Sequence, residues 1–230
     1  MKTALIIGNG QSTKILEKFG FNNINKDIDT YCTSLAFRFC EKYNFEPTYY
    51  VFADPKSVDM QKHNLKKYIN KWNNTKWYLC CNNIRQSNFF NSNKVTNIKH
   101  SGSGPGALEI AINKKIYDRI LIIGLDHNYT WIRKYVSFLK PFKDYKIHYD
   151  NRAKYLCDVV NHPSYFYSNY ILKGDIVSWD MNSKDNEKIE RRCLITENMI
   201  KSANNIDIID FSENKLQVKK GTNIEKYISR

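Results

Sequence analysis

The chain has 230 residues, 42% hydrophobic and 14% aromatic, enough apolar material for one sizeable domain with its own core. With 36 Lys and Arg against 23 Asp and Glu, the formal charge is +13, an excess that favours polyanionic partners, anionic membrane surfaces or phosphate-bearing substrates. The basic residues are scattered rather than gathered in a dense tract, which argues against a dedicated nucleic-acid binder. The six cysteines (Cys32, Cys40, Cys80, Cys81, Cys157, Cys193) form no CxxC and no zinc spacing, and read as reduced, mostly buried thiols. No run reaches the roughly 18–20 apolar residues of a membrane span, and the apolar run in the opening MKTALIIGNG is shorter than a signal-peptide h-region and enters a glycine turn, so no signal peptide is expected. A cytoplasmic protein is expected.

In chain order, residues 3–7 (TALII) read as a buried strand entering the turn Gly8-Asn9-Gly10-Gln11-Ser12 and then a helix over 13–19. Strand, glycine turn and helix is the phosphate-cradling start of a doubly wound fold, although the turn is neither GxGxxG nor a P-loop. A second strand over 29–33 ends in the hydroxyls Thr33 and Ser34, and a helix follows over 35–43. The third strand, 49–52, runs into Ala53-Asp54-Pro55, which sets Asp54 at a strand's carboxyl end with a turn enforced by the proline. Asp27-Ile28-Asp29 has DxD spacing but precedes its strand, so it reads as a surface turn. Residues 58–72 form an amphipathic basic helix, 76–81 a fourth strand, and 84–99 a polar loop with a short strand over 95–98.

The most informative stretch is 100–129, HSGSGPGALEIAINKKIYDRILIIGLDHNY. Ser101-Gly102-Ser103-Gly104 form a turn, Pro105 suits a first helical turn, and Arg119 to Gly124 is a short apolar run typical of a parallel strand buried on both faces. The loop amides stand at a helix N-terminus, a ready anion site, and the strand releases Asp126, His127 and Tyr129 at its carboxyl end. Residues 131–185 carry many aromatics with poor periodicity and read as a lid over that edge, at about 130–185. A helix over 186–204, a strand over 206–211 and a polar tail complete the chain. The alternation of strands and helices predicts one α/β domain over 1–230, a doubly wound, mainly parallel Rossmann-like sheet with an aromatic-rich lid insertion.

The GNG…S turn, the strand ending near an Asx-Pro, and the SG loop–helix–strand unit ending in Gly124-Leu125-Asp126 together resemble the bacterial sialyltransferases of glycosyltransferase family 42. The wider clan of that family includes the DUF115/Maf-type and MptE-like proteins. The resemblance implies a GT-A-like nucleotide-binding fold in which Gly8, Asn9, Gly10 and Ser12, with Ser101, Gly102, Ser103 and Gly104, hold the CMP part of a CMP-sugar donor. It also sets Thr33, Ser34 and Asp54 at positions where the family carries nucleotide-touching asparagines, and Gly124 and Asp126 beside the donor. Gln11 replaces the family's proline. A family lid histidine some thirty-odd residues beyond the strand-end aspartate acts as general base, and His162 has that spacing. Tyr129 and Tyr165 would donate to the departing phosphate, with His148 and His127 as rival bases.

An inverting sugar transfer needs a base for the acceptor hydroxyl and donors for the leaving phosphate, which His, Tyr and helix amides supply without a metal or other cofactor. The expected partners are a nucleotide-sugar donor and a glycan or glycolipid acceptor, with peripheral contact to an anionic membrane and homo-oligomer formation also in view, and no nucleic acid. Two other readings stand beside this one. An MptE-like diphosphokinase would transfer pyrophosphate from ATP to a pterin alcohol, with Mg²⁺ on Asp54 and Asp126. A non-enzymatic nucleotide- or polyanion-binding module would bind in a strongly salt-dependent way.

Overall fold

The computed structural model describes residues 1–81, 84–90, 92–99, 102–126, 145–148, 152–159, 166–167, 171–178 and 184–229, with backbone alone at 84–85, 145–148, 152–153, 176–178 and 184–189. Seven parallel strands form the main sheet: β1 (Thr3–Ile7), β2 (Asp29–Thr33), β3 (Tyr49–Phe52), β4 (Lys76–Leu79), β5 (Val95–Asn97), β6 (Arg119–Ile123) and β10 (Asp207–Asp210). Their order is β10-β6-β1-β2-β3-β4-β5, so the chain walks outward from β1 to β5 and then crosses back to place β6 on the other flank of β1. The switch point lies between β1 and β6, registered from Thr3↔Arg119 to Ile7↔Ile123. This is the Rossmann-like α/β arrangement that the strand and helix pattern predicts.

Alternate strand residues face opposite layers, as a period of two requires. Leu5, Ile7, Cys32, Tyr50, Trp77, Leu79, Leu121 and Ile123 pack against α1 (Lys14–Phe19), α2 (Phe37–Lys42), α3 (Pro55–Met60) and α4 (Lys62–Lys71). Ala4, Ile6, Tyr31, Tyr49, Val51, Ile120 and Ile122 pack against α6 (Ser103–Asn113) and α7 (Lys184–Ser202). Much of the aromatic content is inside these layers. Tyr50 stacks on Trp77 at 4.5 Å, and Trp77 stacks on Trp72 at 5.6 Å. On the other face Tyr31 stacks on Tyr49 at 4.4 Å. At the sheet's amino edge Tyr31 shares a hydrogen bond of 2.9 Å with Tyr117, which donates to Asp29 at 2.7 Å. Burial first, and these partners with it, hold the Tyr117 hydroxyl far above the ordinary phenol range.

Several boundaries differ from the sequence reading. The basic helix over 58–72 is two helices meeting at Gln61, because α3 starts three residues earlier, at Pro55, with Asp54 as its cap. The loop assigned to 84–99 contains a helix, α5 (Ile84–Phe89). The helix after the SG turn begins at Ser103, which draws Ser103 and Gly104 into its first turn. The tail is not merely polar: it ends in α8 (Glu225–Ile228), with Ile224 and Ile228 1% and 0% exposed and the Ile228 carbonyl accepting from Asn25 N at 2.8 Å.

The aromatic segment holds a second sheet, the antiparallel β7 (Tyr145–His148), β8 (Arg152–Tyr155) and β9 (Ile176–Ser178). Tyr155, Val159, Phe166 and Ile171 from this region are buried with the first core layer. A buried ion pair ties it down as well: Arg38 on α2 donates both guanidinium nitrogens to Asp175, at 2.6 and 2.7 Å. Gln61 Nε2 and Leu172 N complete the carboxylate's shell, at 3.1 and 2.8 Å. The bidentate geometry satisfies both charges out of water, so removing one partner strands the other. Arg38→Ala is expected to lower unfolding stability by about 3–5 kcal/mol, read from urea denaturation, with Arg38→Lys recovering only part of the loss.

Candidate functional site

The carboxyl ends of β1 and β6 are in direct contact. Gly8 N donates to Ile123 O at 2.8 Å and Gly10 N to Gly124 O at 3.0 Å, so the two chains keep pairing beyond the strands. There is no room for side chains in this seam. A Cβ on Gly8 would lie 2.2 Å from Gly124 O, and one on Gly10 would lie 2.3 Å from Asp126 Oδ2. Gly124, at φ +76°, occupies the left-handed region, and a Cβ there would lie 2.1 Å from Thr13 Oγ1.

Asp126 is the staple across this seam. It is 8% exposed, accepting from Ser12 N at 3.0 Å, from Ser12 Oγ, and from Glu213 N at 3.1 Å. The Ser12 oxygen in turn accepts from Gly124 N at 2.9 Å. The loop after β10 extends the network: Ser212 Oγ accepts from Leu125 N at 3.0 Å, and Asn214 Nδ2 donates to Leu125 O at 3.0 Å. Asp210, fully buried, accepts from Lys220 Nζ at 2.6 Å and from Ser212 N at 2.9 Å. Gly8, Gly10, Ser12, Gly124 and Asp126 are therefore brought together, with hydrogen bonds that hold two loops in register.

The neighbouring part of the rim, over β1, β2 and β3, is built differently. Asn9 Nδ2 donates to Thr33 O at 3.0 Å, and the Asn9 carbonyl accepts from Phe166 N at 3.2 Å. Asn9 is 8% exposed, and its Oδ1 is buried without a hydrogen-bond donor among the described residues. Ser34, next along the rim from Thr33, has φ +54°, a left-handed backbone that costs a non-glycine residue roughly 1–2 kcal/mol. The Tyr50 hydroxyl enforces it, donating to Ser34 O at 2.5 Å while accepting from Phe37 N at 2.8 Å.

The amino end of α6 reaches the same rim. Ser103 Oγ accepts from Ala53 N, just past β3, at 2.9 Å. The Leu125 side chain lies against both loops: a Cβ on Gly104 would be 2.5 Å from its Cδ2, and a Cβ on Gly8 2.8 Å from the same atom. The glycine turn and the SG bend thus share one edge, with Leu125 filling part of the space between them. Gly102 caps α6 with no side-chain hydrogen bond, and Pro105 contributes no N–H. Asp54 instead caps α3, accepting from Lys56 N at 3.1 Å, Ser57 N at 3.3 Å and Ser57 Oγ at 2.7 Å. Its charge is directed at that helix's own amides.

Ser101, His127, Tyr129, His162 and Tyr165 lie outside the described residues, and of His148 only the backbone, in β7, is described. The sequence reading counts Phe166 only among the lid aromatics, whereas its backbone N donates to the Asn9 carbonyl and its ring packs on Phe39 at 4.9 Å; that reading missed the Ser212-Glu213-Asn214 loop. A polar triplet directly after a strand was the available signal for the latter. Burial pushes the thiols of Cys40, Cys81 and Cys193 above the ordinary range, which keeps them protonated and poorly nucleophilic. Among the described residues no group of His, Cys, Asp and Glu is placed to hold a metal ion, and no helix is long and apolar enough to cross a membrane.

Compared with known proteins, the chain matches no family model, no curated protein and no solved structure. Gly124→Ala tests the seam on its own terms: it is expected to destabilise the fold by about 2 kcal/mol or more, read as a lowered thermal midpoint, because strain and collision act together.

Proposed function

We propose that the rim over β1, β2 and β3 binds a nucleotide and that the protein is a glycosyltransferase, metal-independent and inverting, moving a nonulosonic acid from a CMP-sugar to a glycan hydroxyl. The observation that carries nucleotide binding is the buried Asn9 Oδ1, an acceptor without a donor, on the edge that α6 reaches with its amino end. A buried unpaired acceptor costs about 1–3 kcal/mol, a penalty relieved by a ligand hydroxyl or amine. Helix amides favour an anion. A ligand offering both a donor group and a phosphate, as every nucleotide does, suits this pair. Ser34, held in a strained conformation beside Thr33, fits a site organised before its ligand arrives.

The sugar and the chemistry rest on the resemblance to the family 42 sialyltransferases. In that reading the acceptor oxygen attacks the anomeric carbon, the bond from that carbon to the phosphate oxygen breaks, and CMP departs. His162 takes the acceptor proton, while Tyr129 and Tyr165 donate to the phosphate. Gly8, Gly10, Gly124 and Asp126 hold the first turn in place rather than touching the donor. The lid role of residues 130–185 belongs to the same proposal, supported by Phe166 N bonding the Asn9 carbonyl.

The diphosphokinase alternative would draw on Asp54 and Asp126, whose oxygens already serve Lys56, Ser57, Ser12 and Glu213. Titration calorimetry with CMP and, separately, with ATP and Mg²⁺ separates the two. CMP is expected to bind without a divalent ion; binding of ATP alone, strictly with Mg²⁺, would replace this reading with the alternative. Asn9→Ala is expected to weaken CMP about tenfold. It should shift stability by no more than about 1 kcal/mol, since it removes a hydrogen bond and an unpaired acceptor together. Unchanged affinity in that variant would remove the rim site.

A further inference from the structure

Helix α4 turns one face into the core and a lysine-rich face, interrupted by Asn64 and Asn70, outward. Leu65, Tyr68 and Ile69 are buried, while Lys66, Lys67 and Lys71 are exposed and Lys62 is partly so. Its sequence, KHNLKKYINK, contains no acidic residue and no arginine. Two carboxylates from neighbouring helices reach these lysines: Glu41 meets Lys67 and Lys71 at 3.1 and 3.4 Å, and Asp59 meets Lys62 at 3.3 Å. Positive charge remains in excess on the face. Beside it stands Phe89, half-buried at the end of α5, with Lys66 Nζ 4.6 Å and Lys62 Nζ 6.0 Å from its ring centre and His63 edge-on at 5.5 Å.

We propose that this face, α4 with Phe89, docks the protein on an anionic lipid surface. Lysine ammonium groups are point charges suited to a diffuse sheet of headgroups, whereas reading nucleic-acid phosphates and bases favours the planar fork of arginine, which α4 lacks. An aromatic ring bracketed by lysines matches the chemistry of the membrane interface, where ring and charge meet headgroup and acyl boundary. The net charge of +13 adds long-range attraction of the right sign. The proposal is independent of the nucleotide reading, because its readout requires no nucleotide.

The test is co-sedimentation of the full chain with phosphatidylserine–phosphatidylcholine vesicles and with pure phosphatidylcholine vesicles, across a salt series. Binding is expected to the anionic vesicles only and to fade as salt rises. The combined Lys62→Gln, Lys66→Gln, Lys67→Gln and Lys71→Gln variant should lose about tenfold or more in partitioning. A Lys14→Gln, Lys18→Gln variant, altered on the exposed positions of α1, should bind like the wild type. Thermal melting verifies that both are folded, and Lys66→Gln alone, with a severalfold loss, serves if the combined variant is not. Absence of binding at low salt overturns the proposal, as does an α4 variant that binds normally or an equal loss in the α1 variant. Displacement of the vesicles by RNA at equal phosphate concentration would reassign the face to nucleic acid.

Discussion

The loops that end β1 and β6 approach until backbone meets backbone, and the Asp126 carboxylate bonds them together from the gap. Nearly everything at the carboxyl rim follows from this contact. The glycines at 8, 10 and 124 are the residues that tolerate it, Ser12 is the hinge through which Asp126 and Gly124 are joined, and the loop after β10 is recruited to complete the carboxylate's partners. In an open parallel sheet the crevice at the switch point is the usual place for a ligand. Here the β1–β6 loops are instead joined by polar bonds, and it is the adjacent rim over β1 to β3 that the proposed nucleotide site occupies.

That division explains why, among the described residues, a rim so rich in polar groups has one buried acceptor without a partner. Around Asp126 and Asp210 each charge is answered by amides, hydroxyls or Lys220. Asn9 stands one residue away from this network, yet of its side-chain amide only the nitrogen is used, on Thr33 O. Unsatisfied polar atoms are few in folded proteins because the surrounding chain normally adjusts to meet them. Here the adjustment is blocked: Gly8 and Gly10, on either side, are both fixed against β6, and the Asn9 carbonyl is fixed by Phe166.

The sheet was legible in the sequence wherever short runs of β-branched, aromatic or other apolar residues broke off at turn-forming or hydroxyl residues. TALII, DTYCT, YYVF and RILII all form strands close to the expected bounds. Short antiparallel strands such as YKIH and RAKY were not, since charged residues interrupt any apolar run and β9 lies some twenty residues further on. The tail was misread although Ile224 and Ile228 are one helical turn apart, a weak signal against so polar a background. At the site, the glycines announced a close approach but not what approached. Nothing local to Arg38 indicates Asp175, 137 residues away, and the polar environment of Asn9 likewise depends on strands that only the fold makes neighbours.

The borders of the main sheet bear on how copies of the chain can meet. On one side β5 has only three residues. On the other, β10 is covered by residues 219–221: Asp210 N donates to Lys219 O and Gly221 N to Asp210 O, each at 3.0 Å, with the Lys219 ammonium bonded to Asp207. A second molecule finds no long open ladder to extend on either flank, which guards against strand-by-strand stacking into fibrils. Pairing through the main sheet's own edges is therefore a disfavoured way for two copies of this chain to meet.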